Sequence, residues 1–196
     1  MKNSNANFKY QIIKKLLLPY CKKVTCVGDL RRHCSEVKRI EILAISRVVA
    51  VNPLFGRAVA PYPLVEDWIF SCGLAVEINT PEYKQFIWEG EVIELYLTNE
   101  YRWGLQMALR TGCEAFTEWL MTNQRKGGAL PDDMRIMDGW LYAGDKKLIT
   151  MTEQNFFTCI ETEWIRPSQR SARRVLPKRN LEKMSDVQPG NDTSIE

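Results

Sequence analysis

One histidine, His33, is all that the 196 residues contain, and the six cysteines (Cys21, Cys26, Cys34, Cys72, Cys113, Cys159) nowhere form a CxxC pair. That scarcity argues against a zinc site of ordinary ligand spacing and leaves the thiols free and mostly buried. Long apolar runs are missing too. Ile40–Ile45 and Val48–Leu54 fall far short of the roughly 20 residues a bilayer-spanning helix needs. The polar opening Met1–Asn7 leads into no apolar secretion segment, so a cytoplasmic or intracellular protein without a membrane partner is expected. Internal repeats are absent. So is a strong charge of either sign: the formal net charge is +3 and the pI about 8.5, too mild to establish a nucleic-acid partner alone.

What is present suffices for one sizeable core or two small ones, with 45% hydrophobic and 26% charged residues. The positive charge is unevenly placed, because Arg166, Arg170, Arg173, Arg174, Lys178, Arg179 and Lys183 crowd one segment against few acids. Such a run is either a solvated tail or a phosphate-binding one. After Pro167 the apolar density collapses, and Ser185–Glu196 has the composition of disorder.

Apolar residues at Ile12, Ile13, Leu16, Leu17 and Leu18 between lysines predict a helix over Phe8–Cys21, interrupted by Pro19. Strands are expected at Val24–Val27, Ile40–Ser46 and Val48–Val51, then a helix over Leu64–Gly73. A hairpin of Tyr83–Trp88 and Val92–Thr98 follows, turning at Glu89-Gly90-Glu91. From Tyr101 the spacing of Leu105, Ala108, Leu109, Phe116, Trp119 and Leu120 is helical. A short strand pair is expected around Gly139–Leu141 and Leu148–Thr150, and a capped helix opens at Thr152.

The chemistry-bearing unit is Gly28-Asp29-Leu30-Arg31-Arg32 followed by Val37-Lys38-Arg39-Ile40-Glu41-Ile42. A glycine turn after a strand presents backbone N–H groups to phosphates. Carboxylates two apart on the next strand share one face, where they can hold divalent metals. The unit resembles the nucleotidyltransferase motif of family X, polymerase β-like DNA polymerases, particularly viral and phage members. The resemblance continues through Val92-Ile93-Glu94-Leu95, through Trp103–Cys113, and through Thr152-Glu153-Gln154-Asn155-Phe156 to Ile165-Arg166-Pro167-Ser168-Gln169-Arg170.

The resemblance implies an α+β fold: a nucleotidyltransferase palm over residues 1–100, a mixed sheet with flanking helices, then a small α/β thumb over 101–170 and a flexible basic-then-polar tail over 171–196. By the same likeness Glu41 and Glu94 are the metal and catalytic carboxylates, and Gly28, Asp29, Arg32 and Lys38 bind nucleotide. Arg110, Thr111, Gly112, Arg166, Arg170, Arg173 and Arg174 bind DNA. Five positions depart from the pattern, two of them Lys38 in place of the small residue before the first ligand and Cys113 in place of the serine after Thr111-Gly112. Arg39 stands where the first metal-ligand aspartate belongs, Asp29 replaces a serine that donates to the triphosphate, and Thr117 replaces a base-reading asparagine. An ion pair between Asp29 and Arg39 across the emptied site is expected. The favoured reading is a catalytically silent scaffold binding DNA or a protein assembly partner, with no cofactor. The alternative is a minimal gap-filling polymerase that adds nucleoside triphosphates to a DNA 3′ end with Mg²⁺.

Overall fold

The computed structural model describes residues 1–51 and 60–171. Helix α1 (Asn3–Leu17) begins five residues before the expected start. Tertiary contacts supply its missing cap: the Asn3 backbone N–H donates to the Ser35 carbonyl at 3.0 Å, and its side-chain amide donates to the Cys34 carbonyl at 2.9 Å. Pro19 ends the helix as anticipated, which frees Cys21 to open strand β1 (Cys21–Cys26). Next come the single-turn helix α2 (Gly28–Arg31) and strands β2 (Ile40–Ser46), β3 (Val48–Val51) and β4 (Ala60–Pro63). Helix α3 (Val65–Ser71) and strands β5 (Val76–Asn79), β6 (Tyr83–Trp88) and β7 (Glu91–Leu97) complete the first half.

Five strands form one mixed sheet in the order β1-β2-β7-β6-β5, with β2 and β7 parallel and the other neighbours antiparallel. The sheet is apolar on both faces, so each must be covered. Ile40, Ile42, Ala44, Ile93 and Leu95 face α1 and α3, packing with Ile13, Leu17 and Trp68. Leu43 and Ile45 face the other way onto Trp103 and Met107.

Those last two residues belong to α4 (Trp103–Thr111), which is followed by α5 (Glu114–Met121). A three-stranded antiparallel sheet of β8 (Met134–Met137), β9 (Trp140–Ala143) and β10 (Lys146–Leu148) comes next, then α6 (Glu153–Cys159). Strands β4, β5 and β8 lie outside the expected set; β4 pairs with β3, and the other two are the more instructive. Both are only four residues long, too short a run for the period-2 pattern to stand out from its surroundings, although Val76-Glu77-Ile78-Asn79 does alternate. Leu105, Phe116, Leu120, Leu141, Phe156 and Phe157 make a second core. Helix α6 opens with a capping box in which Thr152 and Asn155 satisfy each other's backbone N–H groups. Gly104 lets α4 approach the segment before α6 closely: its N–H donates to the Thr150 carbonyl at 2.6 Å, and any β-carbon would collide with the Thr152 carbonyl.

Among the described residues no helix is long and apolar enough to cross a membrane.

Candidate functional site

Parallel pairing of β2 with β7 sets Glu41 directly opposite Glu94, so the two side chains emerge together on the α4 side of the sheet. Arg39, two residues before Glu41, projects from the same face. Its Nη1 donates to Glu94 Oε1. The Tyr83 hydroxyl donates to that same oxygen at 2.9 Å, and the Tyr96 hydroxyl donates to Glu94 Oε2 at 2.7 Å. Glu94 is thus buried with both oxygens engaged by a guanidinium and two phenols. The tyrosine rings lie 5.1 Å apart, and Arg110 stacks over Tyr96 at 4.2 Å. Burial, then the hydrogen bond to Glu94, pushes the Tyr83 phenol up to about 12, and the same causes raise Tyr96 further.

Glu41 has no comparable set of donors. Burial, then the neighbouring negative charges of Glu94 and Asp29, raises its carboxyl from the ordinary 4.5 to about 7, against a smaller opposing pull from Arg39. Its carboxylate lies against Gly28. That residue sits at φ +58°, and a β-carbon there would strike the Glu41 oxygens, so glycine is required by conformation and by space. The carboxylate therefore fills the side of the turn that the sequence reading assigns to phosphates.

The expected ion pair between Asp29 and Arg39 is not formed. Asp29 pairs instead with Arg32, three residues on along the same helical turn, and accepts the Lys38 backbone N–H at 3.3 Å. Arg39 reaches Glu94 diagonally, because the register sets Glu41 opposite Glu94 and Arg39 stands two residues before Glu41 on the same face. The two charge changes therefore sit in one cluster with exchanged partners.

Arg31 and Arg32 are not surface residues. Arg32 donates to the Thr111 carbonyl at 2.7 Å. Arg31 reaches the Thr111 hydroxyl at 2.7 Å and grips both oxygens of Glu153 at 2.8 and 2.9 Å. Glu153 also accepts from Arg170 at 2.6 Å and from the Trp164 indole at 3.0 Å. Burial alone would raise the Glu153 carboxyl, but the hydrogen bonds from Arg31 and Arg170 outweigh it and hold the group near 2. The DNA-binding role expected of Arg170 is thereby corrected. Arg170 is fully buried, and its guanidinium is spent on Glu153 and the Ile165 carbonyl.

Of the other residues expected at a DNA surface, Arg110 and Arg166 are exposed, Gly112 is half-buried and Thr111 is buried. Arg173 and Arg174 lie outside the described residues. Lys38 is exposed. Tyr83 and Tyr96 carry no signal in the sequence, and Glu153, present there as part of the Thr152–Phe156 motif, gains its partners only from what folding brings beside it.

The backbone superimposes on the crystal structure of Leishmania infantum polymerase beta in a ternary P/T complex with a TM-score of 0.65, at 12% identity, over 87% of this chain and 76% of that one. This is a palm-and-thumb nucleotidyltransferase fold. No protein-family model matches the chain, and no curated protein does, so the likeness is one of backbone fold. The mixed five-stranded sheet with its helices corresponds to the palm, and the smaller α/β elements after it to the thumb. In those terms Arg31 and Arg32 belong to the palm and bind Thr111 and Glu153 of the thumb. Glu41 and Glu94 lie in the palm face that looks onto α4.

Proposed function

We propose that this chain is a catalytically silent descendant of the polymerase β-like family X enzymes, of viral or phage type, that keeps the palm and thumb to bind DNA. The observation that carries the reading is the state of Glu94. A divalent cation needs free carboxylate oxygens, and both of these are engaged by Arg39, Tyr83 and Tyr96. Arg39 adds a fixed positive charge beside the two glutamates, and Asp29 is neutralised by Arg32. Among the described residues no group of three or more metal-ligating side chains is arranged to hold an ion. This donor set does not fit a pair of Mg²⁺ ions, whose in-line chemistry needs a carboxylate bridging both.

The DNA-binding half of the proposal is supported by the fold, which DNA polymerase beta shares, and by exposed Arg110 and Arg166. Lys38 contributes to the same electrostatic field. The proposed limits of 1–100 for the palm and 101–170 for the thumb are supported by one core built before residue 100 and another after it, while Trp103 and Met107 of α4 pack back onto the palm sheet.

Primer extension on a gapped duplex, with Mg²⁺ and again with Mn²⁺, tests the silent reading. No incorporation is expected with either ion, while fluorescence anisotropy registers binding of the same duplex. Robust incorporation abolished by Glu41→Gln would overturn it in favour of a minimal polymerase.

A further inference from the structure

The cleft between the palm sheet and α5 is lined by Glu41, Arg110 and Glu118 among others, and it shares no residue with the outer face of the three-stranded thumb sheet. Alternation along β8, β9 and β10 defines that face. Ile136, Leu141 and Leu148 pack into the thumb core, so Arg135, Met137, Trp140, Tyr142 and Lys147 stand on the opposite side. Register arranges these five in two rows. Arg135, Tyr142 and Lys147 lie side by side across the three strands, and Met137 lies beside Trp140 in the next row.

Both rings are half-buried and carry cations. Lys147 Nζ lies 4.3 Å from the centre of Trp140 and 5.7 Å from that of Tyr142, and the Arg135 guanidinium lies 5.2 Å from Tyr142. Asp138 and Asp145 occupy the two turns of the sheet rather than its strands. Asp145 accepts from Arg135 at 3.1 Å, in a pair open to water that salt weakens. The Trp140 end is fixed from the palm side: Arg102 Nη1 donates to the Asp138 carbonyl at 3.4 Å, Gln106 Nε2 donates to the Gly139 carbonyl at 3.5 Å, and the buried Arg102 guanidinium packs 5.4 Å from the Trp140 ring centre. Gly139 sits at φ +70°, and a β-carbon there would come within 2.9 Å of Arg102 Nη1. The ring is therefore positioned before any ligand arrives.

We propose that this face binds single-stranded nucleic acid, two neighbouring bases stacking on Trp140 and Tyr142 while Lys147 and Arg135 meet the adjoining phosphates. Two residues apart on one strand, the rings stand roughly 7 Å from each other. Bases within a duplex rise only about 3.4 Å per step and are held by their pairs, so the platform selects strands whose bases are free to part. Lys147 is exposed on a flexible stem and leaves the ring for a phosphate when a base takes its place. This site goes beyond duplex binding through Arg110 and Arg166 and uses neither residue.

The test titrates the full chain against a fluorescein-labelled oligothymidylate of about 12 nucleotides and, separately, against a duplex with a one-nucleotide gap, both read by anisotropy. Trp140→Ala is expected to weaken oligothymidylate binding roughly tenfold, the scale of one lost stack, and to leave the gapped duplex within about twofold of the parent. Trp140→Phe keeps a stacking ring and is expected to restore most of the affinity, with melting curves checking that both variants are folded. Lys147→Ala is expected to reduce the slope of log affinity against log salt by about 0.7, the single-strand value for one phosphate. Photo-cross-linking of the same oligonucleotide carrying 5-iodouracil should label the peptide that holds Trp140 and Tyr142. Oligothymidylate that fails to bind the parent, binds Trp140→Ala equally well, or cross-links only to other peptides would overturn the proposal, as would an equal loss of both probes in Trp140→Ala. In those cases a gapped duplex that still binds the parent leaves the duplex reading standing, whereas oligothymidylate binding without duplex binding keeps this site and removes that reading.

Discussion

Glu41 and Glu94 are chemically identical side chains at facing positions of one strand pair, yet their surroundings drive them apart. Glu94 is surrounded by donors and Glu41 by burial and like charge. The consequence for stability has a definite sign. The unfolded chain releases the Glu41 proton near 4.5 and the folded chain holds it to about 7. Between those values the folded state binds more protons, so this carboxyl's stabilising contribution is complete below 4.5 and is lost as pH rises through 7. Glu41→Gln removes that dependence. The variant is expected to gain on the order of 2 kcal/mol over the parent at about pH 8 and almost nothing at about pH 4, read from denaturant midpoints. An equal difference at both pH values would show that Glu41 is not held protonated. The residue-level surprise is Arg39. Sequence placed it in the metal position, but its partner followed from strand register, which a linear reading of the charges could not supply.

At the scale of elements, the short helix α2 and the capped helix α6 are joined by a buried polar knot. Arg31 of α2 and Arg170 from beyond α6 converge on Glu153 in the first turn of α6. Three charges share one site, with Glu153 6% exposed and Arg170 not at all. Removing the carboxylate leaves the buried Arg170 guanidinium and the half-buried Arg31 guanidinium uncompensated, so Glu153→Gln is expected to cost about 3–5 kcal/mol in urea or guanidinium unfolding. A loss below about 1 kcal/mol would place the knot in the class of surface pairs. Its pH dependence runs opposite to that of Glu41. Because the Glu153 carboxyl is held near 2, its contribution is present above the ordinary 4.5 and is lost only as pH falls through 2. The capping box of α6 was readable from Thr152 onward. That the adjacent glutamate would tie the palm to the thumb was not, because its partners are 122 and 17 residues away in sequence.

For the whole molecule, two apolar cores are bridged by α4, which covers the carboxylate face of the palm sheet with Trp103 and Met107 and sends Leu105 and Ala108 into the thumb core. The arrangement leaves Arg110 at the mouth of the cleft and Arg166 exposed on the thumb. If these cations meet phosphate, Arg110→Ala and Arg166→Ala each lower gapped-duplex affinity several-fold, and each reduces the slope of log affinity against log salt by about 1. Anisotropy titrations across a salt series make that measurement. Slopes identical to the parent's would remove both residues from the DNA surface. Arg170, placed by the sequence reading in the same DNA surface, needs no such test, since its burial already accounts for it.

The division between what could be read and what could not follows from the range of the forces involved. Local pattern carried the helices and strands, since the periodicities of α4, β2 and the β6–β7 hairpin are written in consecutive residues, and the order of the glycine turn and the two glutamates carried the resemblance to a nucleotidyltransferase. Tertiary structure decided which charge meets which. Asp29 with Arg32, Arg39 with Glu94 and Arg31 with Glu153 are the outcome of side chains within a few ångströms competing for the same partners. Charge attraction within a folded site depends on distance and burial rather than on separation along the chain. The sequence determined which groups were available, and only the fold brought them close enough to pair.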